Sequence, residues 1–288
     1  MTWAQDPAET WEAPYTELGG GFYFRDRYAG HPSVPKKPGD LPAGAFESLQ
    51  DTCGVKELGH TLIIPSCVRA TARWNRRVIT PLQVLAVGDI AVGLWAEKPQ
   101  PGVKVCIALD KLSAIEDVHI LLYGRLSFLS HDQRLTIRYN TICRRVLEPV
   151  LAGLRRTLAG PGFEVPCRRA RVTTIPFKWN FLLNYPYSTL DESAPRDFRF
   201  SVQSYGRHGK IARCHMMIVT PYELISLRDP PQSELSYGVD SLFMARARIQ
   251  SVARMGNTVE VTANGARFAL PTTPALIDAM DSWFAVPV

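Results

Sequence analysis

The sequence predicts a strand-rich α+β fold: two antiparallel units, each closed by a C-terminal amphipathic helix. Three observations predict it. A strand–turn–strand pattern occurs twice, at residues 84–95 and 216–227. Each copy is followed by a further apolar strand and then a hairpin. Each half ends in an apolar stripe of helical period. The division is expected near Gly160 to Val165, giving an N-terminal arm at 1–45, a first unit at 46–160 and a second at 161–288.

The arm comes first. It carries Gly19-Gly20-Gly21 and a Pro/Gly/Lys-rich stretch from His31 to Gly44, interleaved with Trp3, Trp11, Tyr15, Phe22, Tyr23 and Phe24. Disordered tails are poor in aromatics, so the arm is expected to lie on the body of the protein or on a partner. A short helix is expected from Phe46 to about Asp51, and strands from Leu58 onward, punctuated by Pro65 and Pro81.

The repeat then begins. Val84 to Pro99 sets against Met216 to Pro231, with the turns placed at Gly88-Asp89 and Thr220-Pro221. Cys106 to Ile115 parallels Phe243 to Val252. A hairpin follows in each half, around Ser130-His131-Asp132-Gln133 and around Ala263-Asn264-Gly265. Asn-Gly between alternating strands favours a turn in which both central residues take positive φ. In the first half Val146, Leu147, Val150, Leu151, Leu154 and Leu158 form the closing stripe; Pro149 places the expected helix start near Val146. In the second, Thr273 caps and Pro274 opens a helix carrying Leu276, Ile277, Met280, Trp283 and Phe284.

Composition bounds the function classes. Hydrophobic residues make up 46% and charged residues 21% of 288, which allows a full core and argues against wholesale disorder. No run approaches a membrane span. The start, MTWAQDPAETWEAPY, is acidic and aromatic, unlike a secretion signal. Six cysteines lack CxxC spacing, and several sit in apolar runs; a reduced, cytoplasmic setting is expected. The net charge is +6 and arginine heavily outnumbers lysine. That bias reads as the composition of a GC-rich bacterial genome, or as a surface for anions.

No catalytic motif stands out. Ser130-His131-Asp132 holds the residue types of a hydrolase triad, but consecutive residues in a tight turn cannot relay a proton and read as a hairpin tip. Cys214 and His215 neighbour each other in a strand and so point to opposite faces. Glu116-Asp117 and Asp191-Glu192 are paired acids of the kind a glycosidase or metal-dependent nuclease could use, and read otherwise as surface acids beside loops. The histidines show no metal-ligand spacing, so neither metal nor cofactor is expected.

Small antiparallel strands closed by one C-terminal helix resemble the pleckstrin-homology-like (PH-like) fold, in which a bent sheet or partial barrel is plugged by such a helix. The resemblance covers about 58–158 and 172–286, resting on element order, the pairs at Val84–Trp95 and Met216–Leu227, and the closing helices. It implies a scaffold or binding module more often than an enzyme. The family's phosphoinositide sites use basic residues between the first two strands; Arg73, Arg76 and Arg77 lie near such a place in the first unit, and Arg207, His208 and Lys210 lie before the second such place. No ligand site is carried over from it.

The expectation is therefore a tandem PH-like scaffold acting through contacts with another protein or with itself. Candidate partner contacts are Trp3, Trp11, Phe177, Trp179, Tyr185 and Tyr187. An alternative is binding of nucleic acid or anionic lipid through Arg73, Arg76, Arg77, Arg168, Arg169 and Arg171. A further alternative is an enzyme whose site is assembled between the two units.

Overall fold

A computed structural model describes residues 9–11, 32–70, 77–120, 123–160, 163, 197–201, 215–220, 222–228, 238–255 and 258–271. The fold is α+β and strand-rich. Strand β1 (Glu9–Trp11) comes from the arm. Helix α1 (Ala45–Cys53) buries Ala45, Leu49 and Cys53, one residue per turn along one side. It stops at Gly54, whose φ of +71° suits a residue without Cβ and whose N–H bonds the Gln50 carbonyl.

A four-stranded antiparallel sheet follows: β2 (Thr61–Ile64), then β5 (Gln83–Val87), β6 (Ala91–Ala96) and β7 (Gly102–Ala108), with the hairpin of β3 (Cys67–Ala70) and β4 (Arg77–Thr80) between β2 and β5. Next come β8 (Ala114–Ile120), β9 (Tyr123–Leu129) and β10 (Gln133–Asn140), and then α2 (Arg144–Ala159). The second half has β11 (Asp197–Ser201), β12 (His215–Val219), β13 (Glu223–Arg228) and β14 (Gly238–Ala245) as four antiparallel strands. It ends in β15 (Ile249–Met255), β16 (Thr258–Ala263) and β17 (Ala266–Pro271) as three. With the β3–β4 hairpin set aside, four strands then three occur in each half among the described residues.

The two halves share one sheet. Strand β8 pairs antiparallel with β14, from Ile115↔Phe243 to Ile120↔Gly238. The result is an eight-stranded sheet in the order β1-β10-β9-β8-β14-β13-β12-β11, in which only β1 runs parallel to its neighbour. One face packs with α2 and the four-stranded sheet: Ile115, Phe128, Leu135 and Phe243 join Leu62, Leu94, Ile107, Leu147 and Leu154 in a single core. The other face packs on β16 and β17, where Leu129, Leu224 and Met244 meet Val259, Val261 and Phe268. Helix α1 covers the outer face of the four-stranded sheet through Leu49, Cys53, Val84, Ala86 and Trp95.

Turn chemistry explains the hairpins. Asn264 and Gly265 take φ of +43° and +79°, as an Asn-Gly turn requires. The turn between β5 and β6 centres on Asp89-Ile90, one residue later than the sequence predicts, because Gly88 N–H closes on the Ala91 carbonyl. Asp89 and Ile90 then donate their N–H groups to the carbonyls of Gly54 and Cys53, which closes the end of α1. Between β12 and β13, Thr220 Oγ1 accepts from Tyr222 and Glu223 N–H at 3.2 and 2.9 Å.

Helix α2 begins at Arg144, two residues before the expected start, and continues from a 3₁₀ turn at Thr141–Cys143. Pro149 sits in its second turn. The proline lies on the exposed side, so water can reach the carbonyl that loses its N–H partner. The closing helix expected from Thr273 lies outside the described residues.

Candidate functional site

Among the described residues, the most chemically loaded place is β8, at the seam of the shared sheet. Alternation along the strand sends Ile115, Asp117 and His119 to the α2 side and Ala114, Glu116 and Val118 to the other. Both acids are buried. The pair read from sequence as surface acids is therefore a pair of core acids on opposite faces. The acids can be buried because the compensating charges arrive from β9, β10 and α2, far along the chain.

On the α2 side a closed triangle forms. His119 Nε2 lies 2.7 Å from Asp117 Oδ2 and 2.8 Å from the Tyr139 hydroxyl, which donates to Asp117 Oδ1 at 2.8 Å. One proton on Nε2 serves both neighbours, with the tyrosine accepting from His119 and donating to Asp117. Register explains how Tyr139 reaches so far: His119, Gly124 and Tyr139 stand in one row across β8, β9 and β10. A Cβ at Gly124 would overlap the Tyr139 ring, so glycine there lets the ring cross β9. The Arg144 guanidinium stands 3.8 Å from Asp117 and 3.9 Å from Glu148. Burial pushes the Asp117 carboxyl up, but the charge and hydrogen bond of His119, the Arg144 charge and the Tyr139 hydroxyl outweigh it and hold it below its ordinary value.

On the other side Glu116 bridges Arg125 at 3.1 Å and Arg134 at 2.6 Å. Arg134 also donates to Ser127 at 3.2 Å, and Thr136 to the same hydroxyl at 3.1 Å. Further along this face, Arg228 holds Asp240 through Nε and a terminal nitrogen, both at 2.8 Å. Register places Arg228, Asp240, Val118, Arg125 and Arg138 in one row across five strands.

An ionic contact between α2 and β13 joins the halves directly. Arg155 of α2 reaches Glu223 of β13 through two parallel bonds, Nε to Oε1 at 3.0 Å and a terminal nitrogen to Oε2 at 2.6 Å. The guanidinium also lies over the rings of Phe243 at 4.6 Å and Phe163 at 5.6 Å. At the same end of the seam, where β14 finishes and β8 begins, Asn264 Nδ2 donates to the carbonyls of Asp110 and Leu112 at 2.7 and 3.0 Å, and Arg248 to that of Asp110 at 3.1 Å.

No family model and no curated protein sequence matches the chain. The chemistry must be read from the residues alone. In the Asp117 triangle the hydroxyl proton of Tyr139 and the Nε2 proton of His119 are committed to partners inside it, and all three residues are core residues. That is the arrangement of a packing network. Ser130, His131 and Asp132 form a hairpin tip: Ser130 Oγ donates to Asp132 Oδ1 at 2.9 Å and accepts from Gln133 N–H at 2.9 Å. Among the described residues no three His, Cys, Asp or Glu side chains stand where they could share a metal ion, and no helix is long and apolar enough to cross a membrane.

Of the residues nominated from sequence, Arg73, Arg76, Arg168, Arg169 and Arg171 lie outside the described residues, as do Trp3, Phe177, Trp179, Tyr185 and Tyr187. So do Cys214, Asp191 and Glu192. Arg77 opens β4 opposite Ala70, and Trp11 ends β1 beside Leu135; only their backbone is described. Sequence reading missed the Asp117–His119–Tyr139 triangle and the arginines that balance Glu116 and Glu223. One signal was present: two acids in the middle of an otherwise apolar strand demand buried partners.

Proposed function

We propose that this protein is a non-enzymatic binding scaffold of two PH-like units held as one rigid platform. One observation carries the reading: the two four-plus-three strand sets are joined edge to edge by β8 and β14. A seam of that kind fixes the relative orientation of any surfaces the two units present. Support for the PH-like assignment comes from the first half, where a four-stranded sheet interrupted by the β3–β4 hairpin, three further strands and α2 follow in order, and α2 buries its leucines in the core that both sheets share. Support for binding over catalysis comes from the ionic groups at the seam, which meet one another in ion pairs and hydrogen bonds. Free thiols at Cys53, Cys106 and Cys143 suit a reducing, cytoplasmic compartment.

The test is assembly. The purified chain is sized by light scattering, and the tagged chain is recovered under gentle crosslinking from the cells that express it naturally. A stoichiometric complex with itself or a second protein is expected. A strict monomer in both experiments overturns the reading. Retention on anionic vesicles or nucleic acid at low salt, lost as salt rises, would favour the arginine clusters as the working surface instead.

A further inference from the structure

The strongest chemistry outside the seam lies between α1 and the four-stranded sheet. Cys53 is the last residue of α1 and Cys106 lies on β7, yet their Sγ atoms are 3.7 Å apart. A small residue makes this meeting possible. Gly93 on β6 stands directly opposite Cys106 in the ladder. A Cβ on Gly93 would overlap Cys53 Sγ and come within 3.2 Å of Leu49 Cδ2. The Cys53 sulfur therefore fills the side-chain place at position 93, next to Cys106. The two thiols differ in access: Cys53 is fully buried, while Cys106 is partly exposed.

We propose that Cys53 and Cys106 are a redox pair, in which Cys106 reacts with a peroxide and Cys53 closes an intramolecular disulfide that ties α1 to β7. The scaffold reading does not enter into this. Three features set the order of events. Cys106 alone meets solvent. The hydrogen bond from Cys53 lowers the Cys106 thiol to about 7, so the reactive thiolate is well populated near neutral pH. The same pairing, together with burial, pushes Cys53 up. Cys106 Sγ also lies 3.7 Å from the Thr52 carbonyl of α1, so the helix end faces both sulfurs alike. Cys106 is the attacking sulfur and Cys53 the resolving one.

The step balances. Cys106 thiolate attacks one oxygen of hydrogen peroxide; an S–O bond forms, the O–O bond breaks, and hydroxide leaves and is protonated to water. Cys53 then attacks the sulfenic sulfur; the S–S bond forms, the S–O bond breaks, and the oxygen departs as water with the Cys53 proton. Two thiols lose two electrons and the peroxide gains them. The sulfurs must close by roughly 1.7 Å to reach bonding distance.

The experiment uses the full chain. It is treated with hydrogen peroxide, free thiols are blocked with N-ethylmaleimide, and a proteolytic digest is mapped by mass spectrometry before and after dithiothreitol. The expected result is a Cys53–Cys106 linked peptide within one chain, reversed by dithiothreitol, with blocking of Cys106 reduced at least tenfold. Cys53→Ser should abolish the link and leave Cys106 as a sulfenic acid that dimedone traps. Cys106→Ser should leave Cys53 unoxidised. The proposal is overturned if wild-type Cys106 stays open to blocking after peroxide. It is equally overturned if Cys106 pairs with another cysteine, or if Cys53 oxidises as fast without Cys106 as with it.

Discussion

Removing Arg155 should destabilise the whole molecule, because its charge is buried with Glu223 where α2 of the first half meets β13 of the second. Arg155 is 1% exposed and its partner 3%. Arg155→Ala would strand the Glu223 carboxylate out of water, remove two charge-assisted bonds and leave a hole beside Phe243. Breaking a buried pair from one side costs about 3–5 kcal/mol. For a chain of this length the unfolding entropy is roughly 0.6 kcal/mol per degree, so a loss of about 4 kcal/mol lowers Tm by about 6–7 °C. Replacing both partners by apolar residues of similar volume, Arg155→Met with Glu223→Leu, removes the stranded charge and should return within about 1 kcal/mol of wild type. The assay is urea unfolding followed by circular dichroism and tryptophan fluorescence on the wild type, both single variants and the double. The reasoning is refuted if Arg155→Ala costs under about 1 kcal/mol, or if the double variant is as unstable as the worse single.

Other predictions concern the seam and the turns. Tyr139→Phe takes one donor from Asp117 and should cost about 1–3 kcal/mol in urea unfolding without changing the fold. Asp117 is held below its ordinary carboxylate value of 3.8, so its stabilisation is present in full above that value and is lost as pH falls through the lower, folded one. The stability gap between wild type and Asp117→Asn should be flat down to about pH 5 and narrow below about pH 4; a gap that widens in acid contradicts this. Gly88→Ala puts a Cβ onto the Cys53 carbonyl and should lift the β5–β6 turn off α1, at a cost of roughly 3 kcal/mol or more, with hydrogen exchange speeding up in α1. Asn264→Ala loses two bonds to the Asp110 and Leu112 carbonyls and strains a positive-φ position, costing about 2–3 kcal/mol; Asn264→Gly keeps the backbone free and should cost about half as much by the same assay.

What could be read from the sequence was local. The Asn264-Gly265 turn needs only its own two residues to take positive φ, and the leucine stripe of α2 is a period within one segment. The sequence places the first hairpin turn one residue early, because nothing within Gly88-Asp89-Ile90 shows that the N–H groups of Asp89 and Ile90 close the end of α1. The sequence places the start of α2 late, because Pro149 counts against a helix interior, while the exposed side it occupies depends on how the helix packs. Glu116 and Asp117 are the sharpest case. As a dipeptide they resemble surface acids; their burial depends on Arg125, Arg134, Tyr139 and Arg144, which only the register of three strands and a helix brings together.

That dependence also shows which pairing the buried charge constrains. The partners of Glu116 and Asp117 lie on β8, β9, β10 and α2, so the two acids act on the register of β8 within the first half. A slip of one residue against β9 would turn every side chain of β8 over and take each carboxylate from its present partners. The Arg228–Asp240 pair joins β13 to β14 and acts within the second half in the same way. The pairing of β8 with β14 is constrained instead by contacts that cross between the halves: Arg155 of α2 on Glu223 of β13, and Asn264 and Arg248 on the carbonyls of Asp110 and Leu112. A buried ion pair contributes little net stability in place, because desolvation offsets most of the attraction, but breaking it from one side costs about 3–5 kcal/mol. The Arg155–Glu223 pair therefore does more to exclude other placements of the two halves than to stabilise the observed one.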